Sequence, residues 1–273
     1  MNDLPPELAG LLAGDPYRFE LGLRRGEISH FFSTPPGLVE RLAERREWLA
    51  AAPGTYAALT PPGIPLLHEA FRVLHGTAPP SGDPMGLLLS QGTAMDADFL
   101  LLSPEPSGDL GPVLQGGCLC FPSSWSLEEK MGRPLEEIHS PVPGLNPALG
   151  ARIQQFLSRL SPGAAWLRAN WGLSRTPELN QHPCRGLPRL GADASLEGTW
   201  FRLENQALVR LPETGGILFG IRITSVPLVQ IAGQPGLGRG LAGLLRTMPE
   251  GVAVYKGLAG ARPRLLELLD RAG

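Results

Sequence analysis

Cysteine is scarce. Cys118, Cys120 and Cys184 are the only three, too few for a disulfide framework or a four-cysteine iron–sulfur cluster. Such sparing use fits a reducing cytoplasm. Long apolar runs are missing: none approaches about 18 residues, which predicts no membrane-spanning helix. The opening Met1-Asn2-Asp3-Leu4-Pro5-Pro6-Glu7 has neither a basic n-region nor an apolar core, which predicts no signal peptide. A basic excess is missing too. The net charge is −2 and the pI about 6.2, with no basic stripe, so nucleic acid is excluded as a partner. Lysine is almost absent. Lys130 and Lys256 stand alone among the arginines. A lysine kept against such a bias marks a place suited to a point charge rather than a fork.

What is there begins with size. A chain of 273 residues, 42% hydrophobic and 18% charged, has enough length for a sizeable core in one large domain or two small ones. The stretch the chain is organised around is GGCLCFPSSWSLEEKMGRPLEEIHSPVPG, residues 116–144. Its apolar start reads as a buried strand, stopped by Pro122 and the Ser123-Ser124 pair. A short charged helix, Leu127 to Met131, follows. A second helical piece, Pro134 to Ile138, delivers His139. Pro141 and Pro143 then hold the chain extended, which gives His139 a defined direction. On residue chemistry alone, His139 is a turn-capping histidine bonded to a backbone carbonyl, or an axial metal ligand.

Around this stretch the periodicity predicts an entry segment over 15–32 and a helix over 37–51. Ser33 and Thr34 are its candidate caps, and Pro35-Pro36 its first turn. A second helix spans 64–75, with His68 and His75 on one face. Strands are expected over 86–89, 99–102 and 113–121. Pro104, Pro106, Ser107 and Gly108 separate the last two. Asn146-Pro147 opens a helix to Leu160. Trp166 to Trp171 is a strand. Residues 198–224 form a hairpin turning at 212–216, with Arg202, Glu204, Gln206 and Arg222 gathered on one sheet face. Such a face is either solvated or the wall of a polar pocket. Helices close the chain.

Few motifs survive weighing. Gly238, Gly240 and Gly243 match G-x-G-x-x-G, the basis of a nicotinamide-oxidoreductase reading, but no acidic residue follows at about 20 residues. P-loop, G-x-S-x-G and H-E-x-x-H patterns are absent. Cys120 and Cys184 read as small buried hydrophobes or as haem thiolates. His182 stands as an alternative ligand to His139.

The word order says more. FPSSWSLEEKMGRPLEEIHSPVPG, WLRANW and WFRLENQALVRLPETGGILFGIRI, with DPYRFELGL before them and VAVYKGL after, resemble the haem-dependent oxidative N-demethylase family. That family is similar to the large subunit of bacterial dimethylamine monooxygenases. The likeness runs from about Asp15 to Gly257. It implies an α+β fold with a PAS-like antiparallel sheet flanked by helices, and a haem pocket against the sheet. The whole chain would be a single haem-binding domain, its N-terminal helical segment (about 1–80) packed on the core. It implies haem b, with His139 as axial iron ligand. Lys130, Arg168, Asn170, Trp171 and Arg202 are the implied cofactor-binding residues, with arginines paired to the propionates. Glu204, Gln206 and Arg222 are the implied catalytic groups, Glu204 holding an alkylammonium substrate. It implies O2-dependent removal of a methyl group as formaldehyde. No flavin motif is present, so electrons would come from a separate reductase. A non-catalytic PAS-like haem sensor is the alternative. The chain departs from the family's hairpin word at Asn205, where Arg is usual, and at Ala207, where Thr is usual.

Overall fold

The computed structural model describes residues 4–13, 16–33, 38–104 and 110–272. The expected cap at Thr34, the Pro35-Pro36 turn, Asp15 and the Pro106-Ser107-Gly108 turn lie outside the described residues. The strands are β1 (Arg24–Gly26), β2 (Ala57–Leu59), β3 (Asp98–Ser103), β4 (Val113–Cys118), β5 (Ala165–Ser174), β6 (Trp200–Arg210) and β7 (Ile217–Pro227). The helices are α1 (Glu7–Leu11), α2 (Ile28–Phe32), α3 (Val39–Ala51), α4 (Pro53–Tyr56), α5 (Gly63–His75), α6 (Pro84–Ala94), α7 (Leu135–His139), α8 (Ala151–Ser158), α9 (Leu228–Ala232), α10 (Pro235–Thr247), α11 (Glu250–Tyr255) and α12 (Arg262–Ala272). The fold is α+β. Its strands make one seven-stranded antiparallel sheet in the order β1-β5-β6-β7-β3-β4-β2. The first 80 residues are not only helical, because they supply both edge strands, β1 and β2.

The β6–β7 hairpin is the spine. Its turn carries Gly215 at φ +67°, a left-handed conformation glycine adopts without steric cost. Helix α5 buttresses it: the buried Glu69 carboxylate accepts from the backbone N–H groups of Glu213 and Thr214.

Directly opposed residues of an antiparallel sheet share a face. The rows Trp166–Leu208–Phe219–Leu100, Arg168–Gln206–Ile221–Asp98 and Asn170–Glu204–Ile223 therefore line one face. The opposite face is closed by helices. At Gly220 an added Cβ would lie 2.5 Å from the Phe31 ring, so a residue without one lets α2 seat directly on the sheet. Further along that face Phe201, Leu203 and Val226 pack with α9 to α12 in a second apolar core.

Three local expectations differ. The strand expected at 86–89 lies inside α6. Asp83 caps that helix by accepting from Met85 N and Gly86 N, and Pro84 fits its first turn. Short apolar runs carry no period that separates a buried helix from a strand. Asn146 opens a π-turn rather than capping a helix, and its side chain donates to the Glu136 carbonyl. Ser33 ends α2 instead of starting α3.

Candidate functional site

The chain leaves β4, crosses the sheet and returns through α8, so residues 119–157 stand over the Glu204–Gln206 face. Between them lies a cavity of about 700 Å³, within the usual range for small-molecule and cofactor sites. Leu208, Phe219 and Ile221 form its flat apolar floor, and Ile153 and Phe156 of α8 its far wall. The extended strap of residues 16–23 crosses the remaining side, anchored where Tyr17 N donates to Thr247 Oγ1 at 2.8 Å.

His139 ends α7 and lines the cavity. Its own carbonyl accepts from Val142 N at 3.0 Å, so residues 139–142 make a turn and not the extended segment expected after His139. Among the described residues its imidazole has no hydrogen-bond partner, so it is not the carbonyl-bound cap of the simpler reading. Burial, then the neighbouring Arg168 and Lys130 cations, push its pKa down to about 4. The ring is neutral at physiological pH and keeps a lone pair, the form that binds metals. Lys130 lies over the Trp125 ring at 5.6 Å and reaches the Ile138 carbonyl at 3.4 Å.

Opposite, Glu204 is held by neutral donors. Ser123 Oγ donates to Oε1 at 2.5 Å, Gln206 Nε2 to Oε2 at 3.2 Å and Asn170 Nδ2 to Oε2 at 3.4 Å. Ser123 is itself fixed, since its hydroxyl accepts from Arg202 Nε at 2.7 Å. The next residue, Ser124, has φ 62°, which no other non-glycine among the described residues adopts in sign. Gln181 pins this loop from both sides, donating its N–H to the Pro122 carbonyl and accepting from Ser124 N. A strained residue at such a point marks a loop whose geometry is over-determined by its surroundings.

The structure brings His139, Lys130, Arg168, Asn170, Glu204 and Gln206 together on the cavity wall. Trp171 also lines it, from the opposite face. The cavity continues past the edge of β5, which β1 covers only as far as Leu167. Two expected site residues are elsewhere. Arg222 pairs in register with Asn205, not Glu204, and so points to the other face. There it forms an ion pair with Asp96 at 2.7 Å and donates to the Phe31 and Ser33 carbonyls. The two-residue period of a strand, which puts neighbours on opposite faces, had separated it from Ile221 and Ile223 already. Arg202 shares the Glu204 face but spends its guanidinium on the carbonyls of Phe121, Pro122, Glu178 and Leu179. It is a clamp behind the cavity rather than part of its wall. Asn205 lies with Arg222, away from the cavity.

The alternative ligands also lie elsewhere. His182 Nδ1 accepts from Cys184 N at 3.2 Å, and its ring stands edge-on to Tyr56. Cys120 is fully buried with its sulfur 3.9 Å from that of Cys118. That contact, then burial, pushes its thiol pKa far up. Gly238, Gly240 and Gly243 fall inside α10, not on the strand-to-helix turn a dinucleotide site requires. Among the described residues, sequence reasoning missed Ser123, the strap and Lys256. Lys256 lines the cavity and donates to the Trp171 carbonyl at 2.6 Å. Its rarity as a lysine was the available signal.

The donor set fits a haem: a neutral unpartnered imidazole, a flat apolar floor and cations on the wall. No helix among the described residues is long and apolar enough to cross a membrane. The family model described as haem-dependent oxidative N-demethylase, alpha subunit-like, matches residues 64–266, a span that includes His139, the whole β5–β7 sheet core and Lys256. On that match the chain belongs to the haem-dependent oxidative N-demethylase, alpha subunit-like family.

Proposed function

We propose that this protein is a haem b-dependent monooxygenase that removes a methyl group from a small methylated amine, acting in the cytoplasm as a single PAS-like haem-binding domain. The observation that carries this reading is the neutral, unpartnered His139 imidazole on the same cavity wall system as the Glu204 carboxylate. Haem, when bound, supplies the activation of O2. One oxygen atom enters a C–H bond of the methyl group, and the other leaves as water with two electrons and two protons from a separate reductase and solvent. The resulting N-hydroxymethyl amine loses formaldehyde and returns the shorter amine.

The chain's own residues do the rest. His139 would hold the iron, its backbone fixed by the bond from Val142 N to its carbonyl. Lys130, Arg168, Asn170 and Trp171, which line the cavity, would contact the porphyrin. Glu204 binds the substrate nitrogen, with Gln206 and Ser123 orienting its carboxylate. Leu208, Phe219 and Ile221 exclude water, and so strengthen the electrostatic contacts inside. The test is a visible spectrum followed by an assay. The purified protein should carry a Soret band that His139→Ala strips. With a reductase it should release formaldehyde from a methylated amine. A haem-loaded protein with no turnover on any such amine would be a sensor instead.

A further inference from the structure

We propose that Arg168 and Lys256 form a carboxylate-binding subsite at the polar end of the cavity. The inference rests on the haem reading of the cavity only for one of its two possible occupants. Its basis is an imbalance of donors. Arg168 is half-buried, lines the cavity, and makes no hydrogen bond or ion pair among the described residues. Its Nε is buried with no partner. A guanidinium carries only donors, and leaving a buried charged donor unpaired is costly. Lys256 is half-buried and spends one donor on the Trp171 carbonyl. The ammonium also lies over the Trp171 ring at 5.3 Å, which leaves its other N–H donors without an oxygen acceptor among the described residues.

The Glu204 carboxylate does not balance them. Glu204 acts on both cations electrostatically, but its oxygens already accept from Ser123, Asn170 and Gln206. Lys130 adds a further cation and His139 is neutral. The described charged groups at this end, Arg168, Lys256, Lys130 and Glu204, therefore sum to a positive excess. A neutral or cationic occupant would leave that excess unscreened in a protein-walled space. A carboxylate accepts from a guanidinium in the two-pronged geometry and from an ammonium beside it. It would satisfy the orphan Nε as well. Two sources share this chemistry: a propionate of the porphyrin, or the carboxylate of an N-methyl amino acid whose ammonium faces Glu204.

Three measurements on the full-length protein separate the outcomes. Metal-free protoporphyrin IX and its dimethyl ester are titrated by quenching of tryptophan fluorescence, which needs no iron and so no bond to His139. If a propionate is the occupant, wild type binds the free acid about tenfold or more tightly than the ester, and Arg168→Gln and Lys256→Met each erase the difference. If a substrate carboxylate is the occupant, the porphyrins bind alike. N-methylglycine then perturbs the Soret band of the haem-loaded protein at lower concentration than dimethylamine, and Arg168→Gln removes that preference. If no porphyrin binds, the haem reading fails. The subsite is then decided by whether N-methylglycine raises the melting temperature of wild type but not of Arg168→Gln. Equal behaviour of acid and ester together with no response to N-methylglycine overturns the subsite. Arg168→Lys, which keeps the charge, guards against reading a folding defect as loss of the anion.

Discussion

Arg45 Nη1 donates to Asp98 Oδ1 at 2.6 Å, and neither side chain has any exposure. Asp98 also accepts from Cys120 N at 2.7 Å and Phe121 N at 2.9 Å. One carboxylate thus ties α3 to the start of the loop that carries Ser123 to Glu204. The Arg45 guanidinium further donates to the Gly92 carbonyl and lies over the Phe121 ring. The pair is a structural junction upstream of the cavity.

Asp98→Ala should cost about 3–5 kcal/mol in urea unfolding, because it strands a buried guanidinium. Replacing a buried pair with apolar groups is often neutral. Here Arg45→Met combined with Asp98→Ala should recover only part of the loss, since the Cys120 and Phe121 amides still lack an acceptor. Full recovery in the double variant would mean those two amides find other partners.

The stability of the haem-free protein should fall as pH drops from about 6.5, the ordinary histidine value, toward 4. His139 in the folded chain has its pKa near 4, so folding favours the neutral ring. Above the unfolded-state value both states hold the neutral ring and no penalty arises. Below it the unfolded chain takes up the proton first, and stability is lost through that window. His139→Gln should flatten this part of the profile in denaturant titrations at stepped pH. An unchanged slope would place the ring in a more polar setting than the cavity wall.

The hairpin, its turn and the alternation that puts Glu204 and Gln206 on one face were legible from the sequence, because period-two patterning and a Gly-Gly turn are local signals. The prolines after His139 were legible, but the segment they were expected to hold extended is a turn, closed by the bond from Val142 N to the His139 carbonyl. Arg222 was misplaced because the facing register of two strands depends on the turn between them, and a one-residue difference moves a side chain to the other face. Arg202 was misjudged because its partners are backbone carbonyls about 80 and 23 residues away, which no local pattern records. Lys256 reaches Trp171 across 85 residues. Only its rarity pointed to it.

Glu204→Gln should leave haem content intact and raise KM for the amine. The amide keeps the shape and an acceptor for Ser123, but loses the charge that pairs with an ammonium. A hydrogen bond to a charged group is worth about 1.5–3 kcal/mol, or about 10- to 100-fold in KM. The check is formaldehyde release against amine concentration in the reductase-coupled reaction. An unchanged KM would mean that the amine nitrogen binds away from this carboxylate.

Two glycines of α10 should respond to alanine with opposite signs. Alanine is favoured over glycine by about 1 kcal/mol in a helix interior, and nothing lies within 4 Å of a Cβ built at Gly236. Gly236→Ala should therefore stabilise, by a fraction of that amount near the helix start. At Gly240 the same Cβ would sit 1.8 Å from the Leu12 carbonyl oxygen and 2.9 Å from its carbon. Those are backbone atoms at the end of α1, held there by the bond from Leu12 N to the Leu8 carbonyl, and no rotamer change relieves the overlap. Forcing α1 off α10 also opens the second core, to which Leu8, Leu12 and Leu241 belong. Overpacking costs about 1–3 kcal/mol, which exceeds the propensity gain, so Gly240→Ala should lower the melting temperature while Gly236→Ala raises it. A rise in both would show that α1 moves aside freely, and that the glycine at 240 serves something other than this close approach.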